Sequence, residues 1–403
     1  MYGIVLEGGG GRGAYQLGVW KALRELGVDY QGVAGTSVGA LNGAMMVQGD
    51  FEMALDIWSD ITPSKVVKID DELLEKVNHL KISTDEKSRL LQGIKNIFHN
   101  RGMNTAPLRS LLQQHIDEQR IRKTGLEFGI VTVSLTDLTP LRLFLHDIPQ
   151  GKLIDYLLAS ASIPGFQRQR IDNKAFIDGG IYDNLPVSLL AQKGFKNIIA
   201  VRLVRKGLKK WENMKDLEVT LIKPSESLGS IFDFTRKRAH NNIELGYFDT
   251  LKIFKGYHGR RYCIDVNRDE EYFLDIILQM EQEKLKDILD GWGASDGMPQ
   301  KRIIMERVVP LLAELLPVPT CASYQDIVVA LLERTAAKAG VERFKVYSYD
   351  DFECNVLKVY QPTKQVTARL PKILRRNELL LRTRSDQILD MITAAIVCKI
   401  KQN

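Results

Sequence analysis

The sequence predicts an α/β domain with a mainly parallel sheet covered on both faces, followed by a mostly helical module. Three features carry that reading. Short apolar strands alternate with amphipathic helices through the first half of the chain. Glycine-rich turns follow the first two strands. After about Lys255 the texture changes, and helical periodicity dominates.

The elements follow in order. Tyr2–Leu6 reads as a buried strand, and Ala14–Leu26 as a helix whose apolar set is Leu17, Val19, Trp20, Leu23 and Leu26. Gly32–Gly35 is a second short strand and Val38–Val47 a second helix. Further strands are expected at Phe128–Ser134, Leu141–His146, Ile198–Leu203 and Glu218–Ile222. Helices are expected near Met53–Asp60, Pro107–Glu118, Lys152–Ser160 and Val187–Lys193, with Asp70–Asn100 as polar helices capping or lidding the core. The second module is read as helices at Glu271–Leu289, Met305–Leu316, Tyr324–Ala339 and Gln387–Ile400. Gly256, the Gly291–Pro299 loop and Pro317-Val318-Pro319 punctuate them. The expected domains are residues 1–255 and 256–403.

Composition narrows the class. The 403 residues are 44% hydrophobic and 26% charged, as in an ordinary soluble globular protein. The longest oily runs, Ile303–Val318 and Ile388–Ile400, are broken by charges and suit packed helices better than a membrane span. The start of the chain is a strand running into glycines, with no secretory pattern. Cys263, Cys321, Cys354 and Cys398 are scattered, which suits reduced core thiols better than a disulfide frame or a zinc site. A cytoplasmic setting is expected, with no metal, cofactor or nucleic-acid partner, and with homo-oligomerisation left open. The net charge of +6 permits anionic surfaces as partners without requiring them. Two basic stretches, Arg202–Lys210 and Lys364–Arg384, read most simply as solvated faces. The second interleaves with leucines, so peripheral contact with the inner membrane surface is its rival reading.

The sharpest local signal is Gly35-Thr36-Ser37-Val38-Gly39, a G-x-S-x-G set between a strand and a helix. A serine on so tight a turn needs small neighbours at Gly35 and Gly39, and the helix N-terminus behind it favours developing negative charge. The second signal is Gly8-Gly9-Gly10-Gly11-Arg12-Gly13, directly after the first strand. A Walker loop is excluded because no G-K-[ST] follows. A dinucleotide loop formally fits Gly8, Gly10 and Gly13, but it expects an acid at the end of the second strand, where Gly-Thr-Ser stands instead. An oxyanion hole with amides near Gly10 and Gly11 accounts for both motifs at once, because adjacent parallel strands place their following loops side by side.

A nucleophilic serine needs a base. None of His79, His99, His115, His146, His240 and His258 sits in a turn context that presents an imidazole. Asp178, in Phe176-Ile177-Asp178-Gly179-Gly180, is the better candidate, although Asp-Gly-Gly read alone is merely a turn. Leu41, Met45 and Met46 after the elbow have the helical spacing of plain core. Arg12 suits either bracing of its loop or orientation of a phosphate.

Taken together, GGGGRG, GTSVG and DGG in this order resemble the signature set of patatin-like phospholipases, here of bacterial type with an extra helical module. The stretches Ala159–Phe166 and Asp178–Val187 are similar to that family's sequence before and after its catalytic aspartate, and the resemblance covers roughly residues 1–255. It implies a three-layer α/β/α fold and a Ser–Asp dyad without histidine. The implied reaction is metal-free hydrolysis of acyl esters in phospholipids, lysophospholipids or neutral lipids. By position, Ser37 would be the nucleophile, Asp178 the base, and Gly9, Gly10, Gly11 and Arg12 the oxyanion loop. Two rivals stand beside it: a triad esterase using His240 or His258, and a non-catalytic lipid-binding scaffold.

Overall fold

A computed structural model describes residues 2–68, 102–205, 214, 216–280, 299–360 and 385–400, with side chains to 397. The capping helices expected at Asp70–Asn100 and the basic segment Lys364–Arg384 lie outside the described residues. The chain divides into two compact units, Met1–Thr250 and Leu251–Asn403. The division falls a few residues before the expected boundary, inside a helix spanning Arg236–Lys255 that the apolar spacing did not suggest.

The first unit is built on one mixed, mostly parallel sheet. Its strands are β1 (Tyr2–Leu6), β2 (Tyr30–Thr36), β3 (Glu127–Ser134), β4 (Thr139–Phe144), β5 (Gln169–Ile171), β6 (Lys174–Asp178), β7 (Asn197–Val201) and β8 (Glu218–Ile222). They run in the order β5-β6-β3-β2-β1-β7-β8, with β4 also paired to β3. β1, β2, β3, β7 and β8 pair in parallel, and β4, β5 and β6 join antiparallel. The central strands are buried on both faces, which is why β1 reads as a continuous oily run. One face carries Val5, Ala34 and Val131 in a cluster with Leu189 and Leu190 of a short helix, Val187–Ala191. Val33 and Phe128 point the other way, to within 3.2 and 3.1 Å of where a side chain at Gly43 would begin. Gly43 belongs to the helix Val38–Gln48, so helices cover both faces of the sheet.

One detail of register positions the site. β3 uses one edge for β4, from Gly129 to Ser134. Its other edge is shared end to end: β2 pairs as far as Thr36 opposite Val131, and β6 takes over with Asp178 opposite Thr132. Ser37 and Asp178 therefore leave neighbouring rungs of one ladder.

The second unit is helical, with an apolar core that includes Phe273, Ile277, Ile304, Leu312, Leu332 and Phe352. Its helices start on side-chain caps from Asp269, Ser323 and Ser348. The helix expected at Met305–Leu316 begins at Gln300 and widens into a π turn over Ile304–Val308. Pro310 has no N–H to continue the ordinary ladder, which accounts for the widening there. Two elements unforeseen in the sequence appear here. One is the helix Tyr349–Val359, and the other is a short parallel pair of strands, Cys263–Asp265 and Val346–Ser348. Glu333 is buried, and its carboxylate accepts backbone N–H bonds from Arg260 at 2.9 Å, Arg261 at 2.8 Å and Tyr262 at 2.6 Å. Among the described residues, no helix is long and apolar enough to cross a membrane.

Candidate active site

Ser37 caps the helix α2 (Val38–Gln48) with φ 56° and ψ −128°, a conformation that non-glycine residues rarely adopt. The flanking glycines answer to close contacts. A Cβ on Gly35 would lie 2.2 Å from the Gly39 carbonyl oxygen, and one on Gly39 would lie 2.3 Å from that of Leu6. The turn is wired to the chain that follows it. The Ser37 N–H donates to Ser160 Oγ at 2.9 Å, and Ser160 Oγ–H donates to the Val131 carbonyl at 2.7 Å. Thr36 Oγ1–H donates to the Asp183 carbonyl at 2.8 Å.

Ser37 and Asp178 are each 4% exposed. The Ser37 hydroxyl lies near enough to act on the Asp178 carboxyl, and Oδ1 accepts the Gly180 N–H at 2.7 Å. Oδ2 is buried with no hydrogen bond closed on it. Burial dominates these contacts and raises the Asp178 pKa from 3.8 to about 6. Among the described residues, no histidine bonds either group. His240 is exposed, and His258 Nδ1 lies 2.6 Å from Gln325 Nε2 within the second unit. His79 and His99 lie outside the described residues.

The glycine run opens a 3-10 turn, Gly10–Gly13, ahead of a helix at Ala14–Glu25. Its amides are unequally available. The Gly8 N–H donates to the Asn184 carbonyl at 3.1 Å, the Gly11 N–H to Ile231 O at 2.8 Å, and the Arg12 N–H to Gly9 O at 3.2 Å. For Gly9 and Gly10 no backbone acceptor is found among the described residues. This departs from the expectation that the Gly11 amide faces the oxyanion, because the strap around Ile231 runs alongside the loop and engages Gly11. Arg12 braces that strap, donating Nε–H to the Gly229 carbonyl at 2.8 Å.

Sequence reasoning overlooked the loop's supports. Asn184 Nδ2 donates to Gly8 O at 3.1 Å, tying the glycine loop to the chain after Asp178. Glu7 accepts the N–H groups of Leu203 and Val204 beside Arg202, and burial raises its pKa. An acid at the end of an apolar strand, next to a glycine run, was the available signal for Glu7, and for Ser160 it was its place in the stretch Ala159–Phe166.

An apolar pocket opens beside Ser37 and Gly10. Leu41 and Met45 of α2 line it, opposite Trp58, Ile61, Leu108 and Phe166, whereas Met46 turns into the core. Asn42 contributes no free polar atom. Its Nδ2 donates to Gly13 O and Gln16 Oε1, and its Oδ1 accepts from Trp58 Nε1. Of the cysteines, Cys263 is buried and Cys321 and Cys354 are exposed.

The first half of the chain is similar in sequence to known proteins. Residues 4–191 match the family model described as Patatin-like phospholipase. Patatin-like phospholipase domain-containing protein 7 of Rattus norvegicus is 27% identical over 205 residues, 49% of this chain and 13% of the rat protein. Lysophospholipase NTE1 of Kluyveromyces lactis is 28% identical over 206 residues, 49% of this chain and 12% of its own. The matched region is thus a small part of those relatives. The crystal structure of VipD from Legionella pneumophila aligns over 98% of this chain and 90% of its own, with 14% identity and a TM-score of 0.41.

Proposed function

From a chain whose residues 4–191 carry a patatin-like phospholipase domain, we propose a serine lipid acyl hydrolase working through a Ser37–Asp178 dyad. The observation that carries this is a strained serine beside a buried carboxylate with one unpartnered oxygen, at the mouth of an apolar pocket. Asp178 takes the Ser37 proton as Oγ attacks the ester carbonyl, and the alcohol leaves with that proton. Water then hydrolyses the acyl-enzyme by the reverse sequence. A carboxylate with a pKa of about 6 is a better base than an exposed one while staying ionised at neutral pH. The amides of Gly9 and Gly10, with the N-terminal end of α2, are the proposed oxyanion donors. The names of the relatives support phospholipid or lysophospholipid esters as the substrate class.

The test is Ser37→Ala against the wild type on p-nitrophenyl butyrate and on a total lipid extract, with a fluorophosphonate probe to label the nucleophile. The variant should lose both hydrolysis and labelling while keeping its circular dichroism spectrum. Retention of most of the turnover would overturn the assignment.

A further inference from the structure

The pocket beside Ser37 shares two lining residues with a second cleft, and hydrogen bonds hold the backbone that carries them. Val38, Leu41, Asn42 and Met45 line the pocket along one face of α2, so its axis follows the helix away from the nucleophile. The helix expected at Pro107–Glu118 stops short, and a second helix follows it. Ala106–His115 ends, and Glu118–Lys123 restarts on an Asp117 cap that accepts the Arg120 N–H at 3.0 Å. The link between them crosses the far end of α2, where Gln48 fixes it. Gln48 Nε2 donates to His115 O at 2.9 Å, and Gln48 Oε1 accepts the Asp117 N–H at 2.8 Å. His115 and Ile116 line the pocket on one side. On the other they line a separate outer cleft with Gln113, Arg122 and Gly151. Two residues thus wall one space from the other.

We infer that this pocket is a single-chain acyl site whose length limit is set by the His115–Ile116 wall. The inference rests on the hydrolase reading of Ser37 and adds the class of acyl chain it takes. At 1.5 Å per residue, Met45 lies about 12 Å and Gln48 about 16 Å beyond Ser37 along the helix axis. That span holds an extended acyl chain of roughly ten to twelve carbons. Each further methylene would stay outside the apolar lining and add nothing to binding.

Two measurements test it. Saturated fatty acids of about six to eighteen carbons compete with a fluorescent fatty acid on the Ser37→Ala protein. On the active protein, p-nitrophenyl esters of about four to sixteen carbons, presented in detergent micelles, give a kcat/KM profile. Affinity and kcat/KM should climb to about twelve carbons and then level or fall. Ile116→Ala should join the pocket to the outer cleft and raise the sixteen- to ten-carbon ratio by about tenfold, while Met45→Phe moves the limit to shorter chains. Each ratio is internal to one protein, so a partly unfolded variant still reports it. An unchanged limit in both variants, or no limit in the wild type, overturns the inference. Absence of turnover on every ester would sink the hydrolase reading instead, and the fatty-acid competition would still decide the pocket.

Discussion

Replacing Asp178 by asparagine should inactivate the protein and stabilise it, with a defined pH dependence. Asp178 is 4% exposed, and burial lifts its pKa from 3.8 to about 6. A carboxyl with a raised folded-state pKa holds its proton more tightly when folded. Below pH 3.8 both states are protonated and burial of the group costs little. As pH rises through the window from 3.8 to about 6, the unfolded chain ionises first and stability falls. Above that window the cost is constant. A shift of about two units corresponds to about 3 kcal/mol. Asparagine has the same shape and carries no charge, so it removes this cost. At roughly 2–4 °C per kcal/mol, Asp178→Asn should melt about 6–12 °C above the wild type at pH 8, with the gap closing near pH 4. Turnover of p-nitrophenyl butyrate should drop by about 10²–10⁴ in the variant. In the wild type, kcat/KM should fall with acid below about pH 6. The assay is a pair of thermal melts at each pH beside a kcat/KM profile. A melting gap that does not vary with pH, or a variant that keeps its turnover, would refute the reasoning.

Two further outcomes follow from named contacts. Gly10→Ala puts a Cβ 2.2 Å from the Ile231 carbonyl oxygen at a φ of +55°, so the strap must shift. The barrier should rise by on the order of 2–4 kcal/mol in kcat/KM, and wild-type turnover in that variant would remove Gly10 from the oxyanion loop. Glu333→Gln turns a donor toward the N–H groups that the carboxylate now accepts, so the second unit should lose about 1–3 kcal/mol in a denaturant melt. An unchanged midpoint would mean that the turn at Arg260–Tyr262 holds without it.

Much of the fold was legible because the core strands and their covering helices carry plain periodicity. Tyr2–Leu6, Glu218–Ile222 and Tyr324–Ala339 have the limits read from the sequence. The helix Arg236–Lys255 escaped because small and polar Asn242, Gly246, Asp249 and Thr250 are buried beside Ile243, Leu245 and Leu251, which blurs its apolar stripe. It packs backbone to backbone: a Cβ on Gly246 would fall 2.0 Å from Tyr15 O, and one on Gly18 would fall 1.8 Å from Ile243 O. Hydrophobic spacing cannot reveal a contact made by glycines. The site was legible unevenly for a similar reason. The serine turn announces itself within five residues. Asp178 becomes more than a turn residue only when β6 abuts β2 on β3, a long-range fact that no local window contains. Likewise, Gly11 looked as available as its neighbours until Ile231, far along the chain, took its N–H.

The shared edge of β3 has a consequence for how this protein tolerates change. Ser37 and Asp178 are far apart in the chain, yet their spacing is read off two consecutive rungs, Val131 and Thr132. The exposed turns between them, at Leu138 and at Asp172-Asn173, can lengthen, shorten or be cut and rejoined while those rungs keep their count. A slip of a single residue in β6 against β3 would carry Asp178 about 3.4 Å along the strand and turn it to the opposite face. Catalytic turnover would then act as a vernier for strand alignment, sensitive to a displacement that leaves helix content, compactness and most of the core unaltered.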